Sequence, residues 1–486
     1  MNMIFSVFGI ILSLFLWLFS ITGKDDSLSG LYPLFLVLII CYIILFYISD
    51  KKNDGSLSNW GLRPTYICLI GLIIVNLQFF FDESFCARKI GDFIPVSWAE
   101  QYYDKCFFGG CLFIVLFLLA NYHTRNFPSV KCKTGLLPVK SWVYIQLVFF
   151  LLFVITIDIE SFLTGTIYVG SGASNADGGL SASFERFYDA TSLIALALYT
   201  QKMVRSGECV SVKKYIKSIS IVFWLPLCVY VILRLFSGDR GPVIYSTLSI
   251  IYSYTFVSKK IINIKVAVLF IAAGAFAVTL LGFIRSRSTE LSFTEKVEQS
   301  LIRMNEKKNT EIQSFSPFTK ELASSLRCNF VAVRAIEEGD ANLSFGKFTI
   351  LSSISSFPGA RKEYFKPLGL SDEDFSSAVY LTQLSNKSKT YTYGIGSSVF
   401  AEAYLDLNIW GVIIVAILLG RIFKCIDLSY RYKELSPIVI IVIIRLAAMA
   451  IYVSRDSFSH WASYILSVLI IYWIINPFLK IFLDKG

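Results

Sequence analysis

The stretch "VFWLPLCVYVILRLFSGDRGPVIYSTLSIIYSYTFV", residues 222–257, decides the fold class. It contains two apolar runs, each about the length that crosses the hydrocarbon core of a bilayer as an α-helix. Between the runs lie Arg234, Asp239, Arg240 and a Gly-Pro break, which ends the first helix abruptly. The stretch therefore predicts two membrane-spanning helices joined by a charged turn at one membrane surface.

Similar apolar runs recur along the whole chain. Of its 486 residues, 55% are hydrophobic and 16% are charged, whereas a soluble protein carries about 25% charged residues. We therefore predict an all-α, polytopic membrane protein with about twelve transmembrane helices. The predicted spans are 3–22, 31–49, 65–81, 106–121, 142–159, 186–202, 218–234, 242–257, 266–284, 409–425, 436–453 and 458–479.

The basic residues predict the orientation of these spans. Lys and Arg concentrate in every second connection, namely 50–64, 122–141, 203–217, 258–265 and 421–435. Connections rich in Lys and Arg face the cytoplasm, so both termini are expected there. The net charge of +10 follows mostly from this topology and needs no nucleic-acid partner.

The chain divides into three predicted regions. Residues 1–284 hold spans one to nine, residues 285–393 form a large outward loop with surface helices, and residues 394–486 hold a short outward helix and spans ten to twelve. A loop as long as 285–393 is usually functional in a compact protein.

Arginine recurs at the predicted outward ends of the spans, at Arg240, Arg285, Arg287 and Arg455. A charge at membrane depth is costly and normally faces a cavity or a partner. Arginine makes bidentate contacts to phosphate, so the set predicts a site for a diphosphate headgroup whose lipid tail stays in the bilayer. Asp239 is assigned to the same site. The alternative is that the arginines reach lipid headgroups or pair with Asp239 and Asp456.

The segment "YGIGSSVFAEAYLDLNIWGV", residues 393–412, predicts a short helix over 397–407, a break, and then span ten. Ser397 and Ser398 can cap the helix start, and a helix N-terminus so arranged can bind an anion. Glu402 lies on the same helical face as Ser398. We therefore expect a carboxylate beside a phosphate site, with an ordinary surface acid as the alternative.

Histidine is scarce, since the chain has only His123 and His460. His460 follows Arg455 closely and is a second candidate for proton transfer, with interfacial packing as the alternative. No metal site and no cofactor is predicted. The span interiors hold almost no acidic residues, which argues against an ion-coupled transporter.

Three segments carry a resemblance to a known family: "SGDRGPVIY" at 237–245, "YGIGSSVFAEAYLDLNIWGVIIVAILLG" at 393–420 and "SRDSF" at 454–458. They resemble the Wzy-type O-antigen polymerases, the oligosaccharide repeat unit polymerase family. The resemblance implies a multi-pass glycosyltransferase of the bacterial inner membrane whose active site faces the periplasm. Its substrates would be undecaprenyl-diphosphate-linked oligosaccharides, its surroundings the membrane lipids, and a polysaccharide chain-length regulator a further partner.

The resemblance also suggests roles for the candidate residues. Arg240, with Arg285 or Arg287, would hold the donor diphosphate, and Arg455 would support that site. Glu402 would be the general base, with His460 as runner-up. Two rival functions remain at this stage: an O-antigen ligase, which uses the same donor, and a flippase for the lipid-linked unit. Arg445, which lies inside a predicted span, favours the flippase.

Overall fold

The computed structural model describes residues 2–22, 28–53, 63–86, 88–94, 97–125, 139–159, 180–206, 211–237, 240–258, 316, 319–354, 366–386, 394–432 and 434–483. These residues form helices and connecting turns, with no β-strand among them. The predicted all-α class is therefore confirmed for the part of the chain that the structure describes.

Among the residues that the structure describes, the first ten α-helices hold most of the apolar runs. They are α1 Asn2–Thr22, α2 Tyr32–Asn53, α3 Pro64–Cys86, α4 Ile90–Phe93, α5 Tyr103–His123, α6 Val139–Thr156, α7 Leu180–Ser206, α8 Val212–Ser218, α9 Ile221–Ser237 and α10 Arg240–Ser258. Two short 3-10 helices, Ser29–Leu31 and Ser97–Tyr102, precede α2 and α5.

Five short α-helices come next, and the last four helices follow them. The short ones are α11 Lys320–Ala323, α12 Leu326–Glu337, α13 Lys347–Ile354, α14 Asp372–Phe375 and α15 Ser377–Asn386. The remaining helices are α16 Val399–Leu407, α17 Ile409–Ser429, α18 Pro437–Met449 and α19 Phe458–Leu483. A 3-10 helix, Lys366–Leu368, precedes α14.

Eleven of the twelve predicted spans coincide with these helices, and the predicted span 266–284 lies outside the described residues. Among the described residues, seven helices are long and apolar enough to cross a membrane: α1, α2, α3, α5, α6, α17 and α19. The number becomes eight if α8 and α9, which meet at an angle of 101°, form one broken span. A polytopic helical protein is thus supported, whereas twelve spans and their orientation stay predictions.

The helices of this bundle alternate in direction, so their ends collect on two sides. One side, which we call the Arg63 end, holds Arg63 in contact with both Asp50 and Asp427. The opposite side, which we call the Glu402 end, holds Glu402 in contact with Ser459. The short helices α11 to α16 belong to the Glu402 end.

Helix α5 lies at the centre, because it is buried over most of its length and packs against α1, α2, α3 and α17. Gly420 permits the close approach of α17 to α5. A Cβ atom at that position would lie 2.3 Å from the backbone oxygen of Phe117, a distance that no real side chain tolerates. Large apolar side chains on the outer helices point away from the core, among them Leu14, Ile44 and Leu225. Such a surface suits contact with lipid.

Four charged side chains at the Arg63 end form a buried cluster, which we call the Arg63 cluster. Arg63 forms ion pairs with Asp50 and, at 2.9 Å, with Asp427. Lys424 pairs with Asp50 at 2.9 Å. Each of the four side chains is at most 6% exposed. Two cations and two anions compensate one another, and they join α2 and α17 to Arg63, the residue that precedes α3.

The helices of the predicted outward loop are partly built into the bundle. Helix α12 packs against α5 and α16, and its residues from Leu326 to Ala335 are buried except for Arg327. Helix α13 packs along α19. Helix α12 is therefore part of the buried core, because the neighbouring helices cover its apolar face.

Candidate functional site

Glu402 lies in the first turn of α16 and is enclosed by protein. Its side chain is 1% exposed. Ser377 Oγ donates to Oε2 at 2.6 Å, and Ser459 Oγ donates to the same oxygen at 2.9 Å. The backbone N–H of Ser459 donates to Oε1 at 2.8 Å, and Thr349 Oγ1 lies 3.4 Å from Oε1. The carboxylate therefore joins four helices, namely α13, α15, α16 and α19.

The start of α16 is equally closed. Ser398 is the N-cap residue, and its Oγ accepts a hydrogen bond from the backbone N–H of Ala401 at 2.9 Å. The same hydroxyl donates to Asn329 Oδ1, and the amide of Asn329 donates to Asn76 at 3.0 Å. This chain of contacts connects the cap of α16 to α12 and to α3 in the bundle.

Ser397 is 4% exposed, and its hydroxyl lies 3.0 Å from Ser377 Oγ. Since Ser377 donates its proton to Glu402, Ser397 is the donor in this pair. Both serines at the helix start thus have protein partners. Their predicted role as diphosphate ligands stays a prediction.

The environment of Glu402 changes its acidity. Burial raises the pKa of Glu402 from its ordinary value of 4.5 to about 7, and the hydrogen bonds from Ser377 and Ser459 oppose the rise. The negative charge of Asp406, one turn further along α16, adds to the increase in pKa. A carboxyl group with such a pKa is part protonated near neutral pH.

His460 differs from the buried Glu402 in its environment, because the His460 side chain is 55% exposed. Its Nδ1 atom lies 2.7 Å from Oδ2 of Asp456, which stands four residues earlier, just before α19. The other oxygen of Asp456 accepts the backbone N–H of Ser457 at 2.8 Å, which fixes the carboxylate. A carboxylate on Nδ1 holds the imidazole in one orientation and favours the tautomer with its proton there. The Nε2 atom is then the basic atom.

Two arginines lie in the neighbourhood of this histidine. The charges of Arg186 and Arg445 both lie close enough to act on the His460 imidazole. Arg186, on α7, is exposed. We call the exposed surface formed by His460, Asp456 and Arg186 the His460 face.

Arg445 is buried beneath the His460 face and is held by aromatic rings. Its guanidinium lies 3.6 Å from the ring centre of Tyr464 and 4.9 Å from that of Tyr245. Asp189 pairs with it at 3.6 Å and also accepts a hydrogen bond from the Tyr464 hydroxyl. These four residues come from α18, α19, α10 and α7, which pack together. They fix the helices that carry the His460 face.

A second, partly buried ion pair involves Glu185, one turn before Asp189 on α7. Arg234 Nε donates to Glu185 Oε1 at 2.7 Å, and the Tyr230 hydroxyl donates to the same oxygen at 2.7 Å. Arg234, at the end of α9, is therefore compensated by α7. Its contacts are those of a residue that ties two helices together.

Comparison with known proteins supplies the family. A family model described as O-antigen polysaccharide polymerase Wzy matches residues 1–485. The chain belongs to the Wzy family of O-antigen polymerases. No curated protein and no solved structure matches the chain significantly. The family and the apolar helices together indicate a multi-pass membrane protein that acts as an O-antigen polymerase.

The residues predicted to bind the diphosphate in this Wzy protein are only partly within the described structure. Arg285, Arg287 and Asp239 lie outside the described residues. Arg240 is the first residue of α10, and its side chain also lies outside the described part. Arg455 contacts Glu321 on α11, with nitrogen–oxygen distances of 3.4 and 3.5 Å.

The sequence prediction missed three charged residues of α7 that lie on or near the His460 face. Glu185, Arg186 and Asp189 stand at the start of α7, in "FERFYD" at 184–189. Three charges within five residues at the beginning of a predicted span were a detectable signal. Their partners were not detectable, since Asp189 meets Tyr464 across a separation of 275 residues.

Proposed function

We propose that the chain joins oligosaccharide repeat units carried on a polyprenyl diphosphate, with undecaprenyl diphosphate as the carrier, at the periplasmic face of the inner membrane. A hydroxyl of the acceptor unit attacks the anomeric carbon of the donor saccharide and forms the new glycosidic bond. The bond from that carbon to the diphosphate oxygen breaks, and the lipid diphosphate leaves. The hydroxyl proton passes to a base. No nucleotide sugar takes part.

His460 is the base in this proposal. A general base must come within hydrogen-bonding distance of the proton that it removes. His460 is exposed, and Asp456 holds its ring with Nε2 free of that contact. Glu402 is the less suitable candidate, because its carboxylate is buried and accepts hydrogen bonds from within the protein. This order reverses the sequence prediction, which placed Glu402 first.

In this proposal, the cationic side chains near His460 bind the diphosphate leaving group. Arg186 is exposed and its charge acts on the imidazole, and Arg240 begins α10, which packs against α7. We assign Arg186 and Arg240 to the donor diphosphate, where arginine would stabilise the charge that develops as the bond breaks. Arg455, and Arg285 or Arg287 from the undescribed segment, complete the assignment made from the sequence.

The flippase alternative loses its main support. It rested on Arg445 as an intramembrane cation, and Arg445 is paired with Asp189 and stacked on Tyr464. Its charge is thus compensated by protein. The ligase alternative uses the same donor, so only the acceptor distinguishes it from the polymerase.

The single observation that carries the proposal is the exposed His460, whose imidazole is oriented by the carboxylate of Asp456. The test is the lipopolysaccharide pattern of a strain that lacks this gene and carries the wild type, Arg186→Ala or Arg240→Ala. We expect the deletion to show core bearing one repeat unit, the wild type to restore the ladder, and both variants to fail. If the deletion instead leaves bare core while polymer accumulates on the lipid carrier, the protein is a ligase.

A further inference from the structure

The buried carboxylate of Glu402 lies where three helices begin. Glu402 is itself in the first turn of α16, Ser377 is the first residue of α15, and Ser459 is the second residue of α19. The first turn of a helix has backbone N–H groups without partners in the helix and a partial positive charge, so it favours a nearby carboxylate. The N–H of Ser459 is such a group, and Glu402 Oε1 accepts it at 2.8 Å.

We propose that Glu402 is a positioning residue that fixes the beginning of α19, and with it His460, against the short helices of the 320–386 segment. This inference rests on the proposed role of His460. It gives Glu402 a task in glycosyl transfer that requires no contact with the substrate. The residue acts by holding the base in place.

The contact with α19 is made at the residue next to His460. Both the backbone N–H and the hydroxyl of Ser459 donate to Glu402. These two hydrogen bonds from Ser459 fix the position of the first turn of α19 along the helix axis and its rotation about that axis. The imidazole projects from that turn, so a loss of these bonds would move Nε2 relative to the acceptor hydroxyl. A misplacement of about 1 Å can reduce a catalysed rate roughly 100-fold.

The other contacts of Glu402 come from the predicted outward loop. Ser377 of α15 donates to Oε2 and Thr349 of α13 lies near Oε1. Helix α13 also packs along α19. Glu402 therefore links the loop helices to the first turn of α19 through a single carboxylate. The arrangement of the loop helices and the position of His460 therefore depend on the same carboxylate.

Two histidines make the inference measurable without an activity assay. His123 lies at the Arg63 end, where its Nε2 atom contacts Ser6 at 3.1 Å. In a His123→Gln background, protein labelled with ¹⁵N-histidine has one imidazole, that of His460. Its NMR signals report the bond to Asp456, and its reaction rate with diethyl pyrocarbonate reports its exposure.

The variants are Glu402→Ala, Glu402→Gln and Ser459→Ala, each in that background. Gln has the same shape and can still accept the Ser459 N–H, so it should disturb His460 less than Ala does. The matched control is Asp406→Asn, which changes a carboxylate on the same helix whose contacts are with Ser344 and Gly346. If Glu402→Ala does not fold, Glu402→Gln and Ser459→Ala carry the test.

We expect shifted or broadened His460 signals and a several-fold faster reaction with diethyl pyrocarbonate. Both effects should be larger in Glu402→Ala than in Glu402→Gln, and Asp406→Asn should show neither. In the purified polymerase, kcat should fall roughly 10-fold in Glu402→Gln while KM stays unchanged. The pH profile should keep its acidic limb, which is the fall in rate at low pH caused by protonation of the base. Unchanged His460 signals in all three variants would overturn the inference. So would a Glu402→Gln enzyme that loses that limb, because Glu402 would then be the base.

Failure of the proposed function would look different. If His460→Gln polymerises normally, His460 is not the base, whatever the spectra show. Spectra that respond to Glu402 would then establish the contact and leave its catalytic purpose refuted. The spectroscopic and kinetic results therefore separate the two claims.

Discussion

The Arg63 cluster and the His460 face both hold charged residues at an end of the bundle, but they differ in how far those residues are exposed and compensated. In the Arg63 cluster, two cations and two anions are at most 6% exposed and satisfy one another. On the His460 face, the imidazole is 55% exposed and is oriented by one carboxylate. Charge at membrane depth is therefore not sufficient to identify a site. Orientation combined with access to a ligand is the more useful criterion.

The strongest way to break this comparison is to remove the central cation of the Arg63 cluster. Arg63→Ala leaves Asp50 and Asp427 buried with only Lys424 to compensate them. Removing one partner of a buried ion pair costs about 3–5 kcal/mol. We expect a large loss of folded protein and a lower melting temperature in detergent.

The double variant Arg63→Gln with Asp50→Asn is the matched control for that change. It removes one cation and one anion together, so it should recover part of the lost stability. An Arg63→Ala protein that melts like the wild type would show that the cluster is not a structural element.

The pH dependence of stability comes next in size. Burial raises the pKa of Glu402 from 4.5 to about 7, so between these values the folded state binds a proton that the unfolded state releases. Stability contributed by this proton is present at low pH and is lost as the pH rises towards about 7. The difference between the two pKa values corresponds to about 3 kcal/mol.

This pH effect is measured as the difference in melting temperature between the wild type and Glu402→Gln at pH values from about 5 to 8. We expect the wild type to lose stability relative to the variant as the pH rises. Burial also raises the pKa of Asp406, but that residue is present in both proteins and its effect cancels. Parallel curves would contradict the buried state of Glu402.

Asp456→Asn sharpens the comparison from the other region. The variant keeps the shape of Asp456 but removes the negative charge beside His460 Nδ1. We expect kcat to fall roughly tenfold, equivalent to about 1.4 kcal/mol, with an unchanged melting temperature. The measurement is the polymerisation rate of the purified protein, and a fall in melting temperature without a fall in kcat would assign Asp456 to stability.

The smallest expected effect is at the cap of α16. Ser398→Ala removes the hydroxyl that accepts the Ala401 N–H and should cost about 1 kcal/mol of stability. Its KM for the lipid-linked substrate should not change. A raised KM with an unchanged melting temperature would instead support the predicted role of Ser398 as a diphosphate ligand.

The sequence was informative where local chemistry determines the structure. Apolar runs located eleven helices, and the segment 393–412 predicted both the short helix α16 and the break after it. That break lies at Asn408, whose φ of 55° ends one helix and starts the next. Ser398 was a foreseeable cap, since serine before a helix supplies the missing acceptor.

The sequence did not predict contacts between residues that lie far apart along the chain. Glu402 meets Ser459 across 57 residues and Ser377 across 25, so its burial depends on tertiary packing. Spacing alone therefore predicted a carboxylate at the membrane surface, and the role of general base was added only by the family resemblance. Asp456 stands four residues before His460, just ahead of α19, and this short separation made their contact easier to foresee than the distant ones.

The central claim is that the His460 face is where the glycosyl transfer takes place. Its most direct test is the rate at which purified protein extends a lipid-diphosphate-linked repeat unit, compared between His460→Gln and His123→Gln. Loss of a general base lowers a rate by about 10²- to 10⁴-fold. We predict that loss for His460→Gln at an unchanged melting temperature, and a normal rate for His123→Gln. Equal, normal rates for the two variants would contradict the account.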